Sequence, residues 1–254
     1  MSTEVVLHDD GVHRNVLLDV FDRGLAVESN QHLIIHGNEG LILDPGGHKI
    51  YNRVITATLG HLGGGALRYI FLSHQDPDVV AATNGWLMTT DAEAYCSALW
   101  QRFIPHFGVD RLVEQRLKAI PDEGMTLRLG GAPLMLVPAH FLHSPGNFQI
   151  YDPTSRILYS GDLGASVGAP SRVVEDFDAH AQLMLGFHRR YMSGTRALKL
   201  WLDLVRQLDI QTIAPQHGAM FVGREMVERF LAWCDQLEVG VDLLTPYRLP
   251  PSAP

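Results

Sequence analysis

Residues 71–80 read FLSHQDPDVV, an apolar run fit for a buried strand that breaks off into His74, Asp76 and Asp78 at alternate positions. Ionisable side chains beside a core are costly unless they meet partners. The apolar run, counted from Tyr69 to Ser73, is too short for a helix, so the cluster stands at a strand's end.

The same arrangement recurs along the chain. HLIIHG and GLILDPGG flank Gly37-Asn38-Glu39-Gly40 and predict a hairpin of two buried strands. TLRLGGAPLMLVP, NFQIYD and RILYSGD supply three or four more strands, split by Gly and Pro or by Pro153-Thr154-Ser155, with His143 and Asp162 near their ends. QTIAP is a further short strand that leads directly into Gln216-His217-Gly218. Helices are expected over Val79 to Thr90 and over residues 110–120, the latter stopped by Pro121. Two longer ones, 194–209 and 224–238, carry core-facing stripes of Leu198, Trp201, Leu204, Val205 and Leu208, and of Val227, Phe230, Leu231, Cys234 and Leu237.

A chain of 254 residues with 46 % hydrophobic and 19 % charged side chains has ample core, and α/β units of this size are commonly single domains. One domain over 1–254 is expected, ending in a Pro-rich surface tail from about 245 to 254. The net charge of −8, without a run of Lys or Arg, argues against nucleic acid or an anionic membrane as partner. The N-terminus lacks a basic region, apolar stretch and cleavage site, and no apolar run is long enough to span a bilayer, so the cytoplasm is the expected compartment. Cys96 and Cys234 form no C-x-x-C and read as buried thiols.

Six residues then stand out at strand ends or turns: His74, Asp76, Asp78, His143, Asp162 and His217. One loop-borne His or Asp is ordinarily structural; three imidazoles and three carboxylates at matching positions are seldom an accident. Their order resembles that of the metallo-β-lactamase superfamily, an αββα sandwich with metals on strand-end loops, whose hydrolases show H-x-H-x-D-H. Here the motif is His74-Gln75-Asp76-Pro77-Asp78-Val79. That is more similar to the H-x-E-x-D-H of the flavodiiron branch, and most similar to oxygen-binding di-iron proteins with H-x-D-x-D. The likeness runs through SNQHLI, LHSPGN, SGDLGAS and IAPQHG, across nearly the whole chain.

The resemblance implies that His74, Asp76 and His143 hold one iron, that Asp78 and His217 hold the other, and that Asp162 bridges them. Val79 stands where flavodiiron proteins place another His, which leaves the second metal more open or completed by water. Chemistry supports iron independently: exchanging an imidazole for a carboxylate hardens the donor set toward iron or manganese and away from a nitrogen-rich zinc site. Three carboxylates leave two divalent ions with a net charge of about +1, suited to binding oxygen.

The expected function is therefore a non-haem di-iron protein that binds dioxygen, as an oxygen sensor or as a reductase of oxygen or nitric oxide. No flavodoxin-like segment follows the sandwich, so no flavin is expected, and turnover would need an external redox protein; a sensor would need a signalling partner. Related proteins imply a homo-oligomer. The alternative is a dinuclear zinc hydrolase of esters, thioesters or lactones, against which Asp76 and the missing His at position 79 speak.

Around the six, His140 is a candidate to ligate the second metal or to hydrogen-bond behind a ligand, Gln75 and Gln216 to hold a bound water or cap a loop, and Phe187, His188 and Tyr191 fall in a segment that by resemblance covers the metal mouth. Gly63-Gly64-Gly65 lacks the Lys and Ser/Thr of a phosphate loop, no G-x-S-x-G is present, and Asp44-Pro45-Gly46-Gly47 reads as a strand-closing turn.

Overall fold

Gly37, with φ of 60°, turns the chain between two antiparallel strands that pair from His36 opposite Glu39 to His32 opposite Leu43. Glycine adopts that left-handed backbone without steric cost, which places the predicted hairpin where it forms. The computed structural model describes residues 4–21, 24 and 28–250.

The hairpin lies in a sheet of β1 (Val5–Asp9), β2 (His13–Leu17), β3 (His32–His36), β4 (Glu39–Leu43), β5 (Ala66–Phe71), β6 (Glu93–Ser97) and β7 (Leu117–Ile120), in that spatial order. Neighbours are antiparallel from β1 to β4 and parallel from β4 to β7. The second sheet holds β8 (Met125–Leu129), β9 (Ala132–Pro138), β10 (Phe148–Asp152), β11 (Ile157–Gly161), β12 (Thr212–Pro215) and β13 (Phe221–Val222), ordered β13-β12-β11-β10-β9-β8.

The sheets share a core in which Leu17, Ile34, Leu41 and Phe71 meet Leu127, Leu134, Phe148 and Ile150. Every residue of β10 and β11 is buried, as strands covered on both faces must be. On the outer face of the first sheet, α1 (Tyr51–Leu62), α2 (Pro77–Val80) and α3 (Thr83–Thr89) bury Val54, Ile55, Val79, Trp86 and Leu87, and the short α4 (Ala98–Gln101) follows β6. On the outer face of the second, α5 (Phe177–Tyr191), α6 (Thr195–Val205) and α7 (Arg224–Gln236) bury Met184, Leu198, Trp201, Phe230 and Cys234. This is the αββα sandwich. Each large side chain so buried contributes ~1.5–3 kcal/mol relative to exposure.

Helix ends explain themselves locally. Asp176 caps α5 by accepting from the N–H groups of Asp178 and Ala179, and Arg189 and Arg190 sit in its last turn, where cations oppose the helix dipole. Gly63, at φ 57°, ends α1 and donates its N–H to the Leu59 carbonyl.

Several expectations are corrected. Residues 110–120 form no amphipathic helix: a 3₁₀ turn at Glu114–Arg116 leads into β7, because Leu117 and Ile120 are drawn into parallel pairing with β6 while Leu112 stays 75 % exposed. The helix over Val79 to Thr90 is two short ones, broken at Ala81 and Ala82. Those over 194–209 and 224–238 are shorter, Thr195–Val205 and Arg224–Gln236. Of the tail, residues 245–250 are exposed and carry neither helix nor strand, and 251–254 lie outside the described residues.

Far from the loops that follow β5 and β11, His13 of the first sheet and Asp152 of the second meet at 2.7 Å with neither side chain exposed. Asn15 also donates to this carboxylate, at 2.8 Å, and a buried pair supported in this way fixes how the sheets register. Cys96 and Cys234 are buried free thiols. Among the described residues, no helix is long and apolar enough to cross a membrane.

Candidate metal centre

Strand direction gathers the polar residues. β4 and β5 run parallel, and so do β11 and β12, while β9 and β11 point the same way because each is antiparallel to β10 between them. His74 follows β5, His143 follows β9, Asp162 follows β11 directly, and His217 follows β12. Pro77 opens α2 directly after Asp76, so its missing N–H costs no helix bond, and Asp76 leaves its carboxylate uncommitted to the helix end.

The geometry falls into two halves joined by one carboxylate. Nε2 of His143 lies 2.8 Å from Oδ2 of Asp162 and 3.5 Å from Oδ2 of Asp76. Nε2 of His74 lies 3.8 Å and 3.7 Å from the same two oxygens. In the other half, Nε2 of His217 is 3.4 Å from Oδ1 of Asp162 and 3.4 Å from Oδ2 of Asp78. Asp162 thus turns one oxygen to each half. Val79 is fully buried in the apolar cluster and offers no donor.

Nε2 faces the carboxylates because Nδ1 is engaged elsewhere. Nδ1 of His74 meets the Ser73 hydroxyl at 2.9 Å, and Nδ1 of His217 lies 2.8 Å from the Glu28 carbonyl, to which its N–H donates. A carbonyl acceptor such as that of Glu28 fixes the tautomer of its imidazole and leaves Nε2 free as an acceptor or ligand. The Ser73 N–H donates to Oδ1 of Asp44 at 2.8 Å, and burial pushes the Asp44 carboxyl up to about 6 against the pull of the His74 charge.

Titration reflects the crowding of carboxylates. Burial opposes the His143 imidazolium, yet hydrogen bonds and charge from Asp162 and Asp76 push it up to about 10. His217 is likewise opposed by burial and raised, chiefly by Asp162, to about 9. Hydrogen bonds from His143 and His74 hold Asp76 below the carboxylate range. Asp162 resists the burial that would raise it and stays well below that range through His74, His143 and His217. Asp78 moves up, because burial outweighs the His217 charge. The site attracts positive charge, and protons satisfy part of that demand.

The donors fit a metal. Ligand atoms of His74, Asp76 and His143 lie within 4.8 Å of one another, and Oδ1 of Asp162 is buried without a hydrogen-bond partner. Three imidazoles with three carboxylates suit iron or manganese.

The remaining candidates divide. Gln75 donates to Oδ1 of Asp76 at 3.1 Å and accepts from Ser144 at 2.5 Å, whose hydroxyl accepts from Nε1 of Trp100 at 3.1 Å. Gln216 donates to Oδ2 of Asp78 at 3.3 Å. Nε2 of His140 instead meets the Asp122 carbonyl at 2.9 Å, and its ring packs on Phe148. Phe187 and Tyr191 stack at 4.7 Å, and both present ring edges or faces to His143, at 6.3 and 5.7 Å. They border a cavity of about 660 Å³ whose lining also includes His217 and Ser166. His188 points into the core and accepts from the Gly164 N–H at 2.9 Å.

Sequence reading passed over Ser73, Ser144, Trp100, Glu28 and the partner role of Asp44. Ser144 lies inside LHSPGN and Asp44 inside LDPGG, so both were visible as loop residues. Apart from Ser73 beside His74, their contacts join residues distant in the chain and left no local signal.

Residues 27–218 match the family model described as ODP family beta lactamase. A structure of the peroxy diiron species of chemotaxis sensor ODP is 42 % identical, with a TM-score of 0.84 over 94 % of this chain and 97 % of that one. The apo state of chemotaxis sensor ODP from T. denticola is 40 % identical, with a TM-score of 0.84 and coverage of 96 % and 98 %. Rubredoxin oxygen:oxidoreductase from Desulfovibrio gigas shares the fold at 14 % identity and a TM-score of 0.72, over 91 % of this chain and 62 % of that one. No curated protein sequence matches the chain. With most of its length inside the family model and a relative above 40 % identity along nearly the whole chain, this protein belongs to the ODP beta-lactamase family.

Proposed function

We propose that this chain is a non-haem di-iron protein that binds dioxygen and serves as an oxygen sensor. The observation that carries the reading is the two-faced Asp162, with His143 at 2.8 Å on one oxygen and His217 at 3.4 Å on the other. A chain 42 % identical to a chemotaxis sensor with a peroxy diiron species adds direct support.

In this reading His74, Asp76 and His143 would hold one iron, Asp78 and His217 would hold the other, and Asp162 would reach both. When bound, a ferrous pair would supply two electrons, whereas reduction of oxygen to water takes four. Single-event sensing follows unless an external redox protein supplies the rest. The chain's own residues set the conditions: Ser73 and the Glu28 carbonyl orient imidazoles, Gln75 and Gln216 orient the carboxylates, and the Phe187–Tyr191 stack narrows the approach to His143. We place the protein in the cytoplasm, as a homo-oligomer that passes the oxygen signal to a protein partner.

Anaerobic purification with metal analysis, followed by air, tests this. About two irons per chain and a new charge-transfer band on oxygen addition are expected. Two zincs with an unresponsive spectrum would overturn the reading in favour of a hydrolase.

A further inference from the structure

The two halves of the site are unequal. His74, Asp76 and His143 with Oδ2 of Asp162 make four donors on one side; Asp78 and His217 with Oδ1 of Asp162 make three on the other. Val79, within the apolar cluster, cannot supply a fourth.

Gln216 lies beside this half, with its amide 3.3 Å from Asp78. It precedes His217, is 2 % exposed, and its backbone is held on both sides: its N–H donates to the Gly161 carbonyl at 2.7 Å, and its carbonyl accepts from the Asn30 N–H at 2.6 Å. Charge sets the side-chain amide: Nε2 donates to Oδ2 of Asp78 at 3.3 Å, and turning the amide over would set oxygen against carboxylate. Oε1 is then left buried without a hydrogen-bond partner, as is Oδ1 of Asp162. Gln75, its counterpart beside Asp76, has no spare group, because its oxygen accepts from Ser144. A buried amide oxygen without a partner is costly and calls for a donor or a cation.

We propose that Oε1 of Gln216 is the missing donor, a neutral oxygen ligand to the second metal ion. The inference rests on the di-metal reading above. An amide oxygen is a hard donor suited to iron or manganese and adds no charge to a site already holding three carboxylates. The same amide then steadies Asp78 through Nε2 and closes the second coordination shell through Oε1.

Anaerobic calorimetric titration with ferrous iron tests it, with circular dichroism as the check on folding. The wild type takes two equivalents; Gln216→Leu weakens the second by roughly 10- to 100-fold and leaves the first unchanged. Gln216→Glu, which keeps an oxygen at the same reach, still takes two. Cobalt(II) gives a second readout: visible absorption of the second equivalent strengthens in Gln216→Leu as coordination falls. An unchanged second equivalent in folded Gln216→Leu overturns the inference, and so does equal weakening in the Glu variant, which would assign the effect to the N–H on Asp78. A wild type that binds fewer than two ions overturns the di-metal reading instead.

Discussion

The backbone N–H of Gly164 donates to Nε2 of His188 at 2.9 Å, which ties the loop that carries Asp162 to helix α5. The other ring nitrogen, Nδ1, donates to the Met184 carbonyl at 2.8 Å, so His188 is held neutral with both nitrogens used. Phe187, beside it on the same helix, lies against His143, so one helix touches both the Asp162 loop and the His143 ring.

This tie predicts a pH dependence. Burial holds His188 down to about 4, below its ordinary 6.5. As pH falls below that ordinary value, the unfolded chain takes up a proton that the folded one refuses. The stability from this group is therefore intact above about 6.5 and is lost toward 4, at ~1.4 kcal/mol per pH unit. In urea unfolding of the metal-free protein, the wild type should lose ~2 kcal/mol more than His188→Phe between about pH 7 and about pH 5. Equal losses in both would refute a neutral His188.

Asp162→Ala removes the carboxylate that faces both halves of the site. Paired binding should be abolished, leaving at most one tightly held iron, and the antiferromagnetic coupling of a bridged pair should disappear from magnetic measurements. A variant that keeps two coupled irons would contradict the bridging role.

Gly218→Ala should unfold the His217 turn. Gly218 has φ of +84°, and an added Cβ would lie 1.9 Å from the Ser166 hydroxyl and 2.8 Å from the Ser166 carbonyl oxygen. Backbone strain and overlap together predict a loss of ~2–4 kcal/mol in denaturant unfolding. Because His217 precedes it directly, uptake of the second metal should fall as well. A variant with wild-type stability would show that the turn can relax.

The stack of Phe187 on Tyr191 lies against His143 and borders the cavity beside it. Tyr191 is 54 % exposed, so Tyr191→Ala should leave stability within about 1 kcal/mol of wild type. Stopped-flow mixing of the iron-loaded protein with oxygen should show faster reaction in this variant with an unchanged final spectrum. Unaltered kinetics would remove the stack from the access route.

Residue type and order alone carried much of the outcome. The 32–43 hairpin was legible because a Gly-bounded turn separates two apolar runs, and the six candidate residues were legible because they stand at strand ends or in the turns that follow, as groups that a core cannot hold unpaired. The stretch FLSHQDPDVV therefore determined the strand end, the three polar groups just after it and the apolar Val79 that follows them. Tertiary structure decided the rest. Leu117–Ile120 became a strand because the edge of β6 was there to pair with, a fact outside any local window. The partition of Asp162 between His143 and His217, the Gln75–Ser144–Trp100 chain and the bond from Gln216 to Asp78 all join residues distant in sequence. Local patterning determines which groups must find partners; only the packing of the two sheets determines which partners they meet.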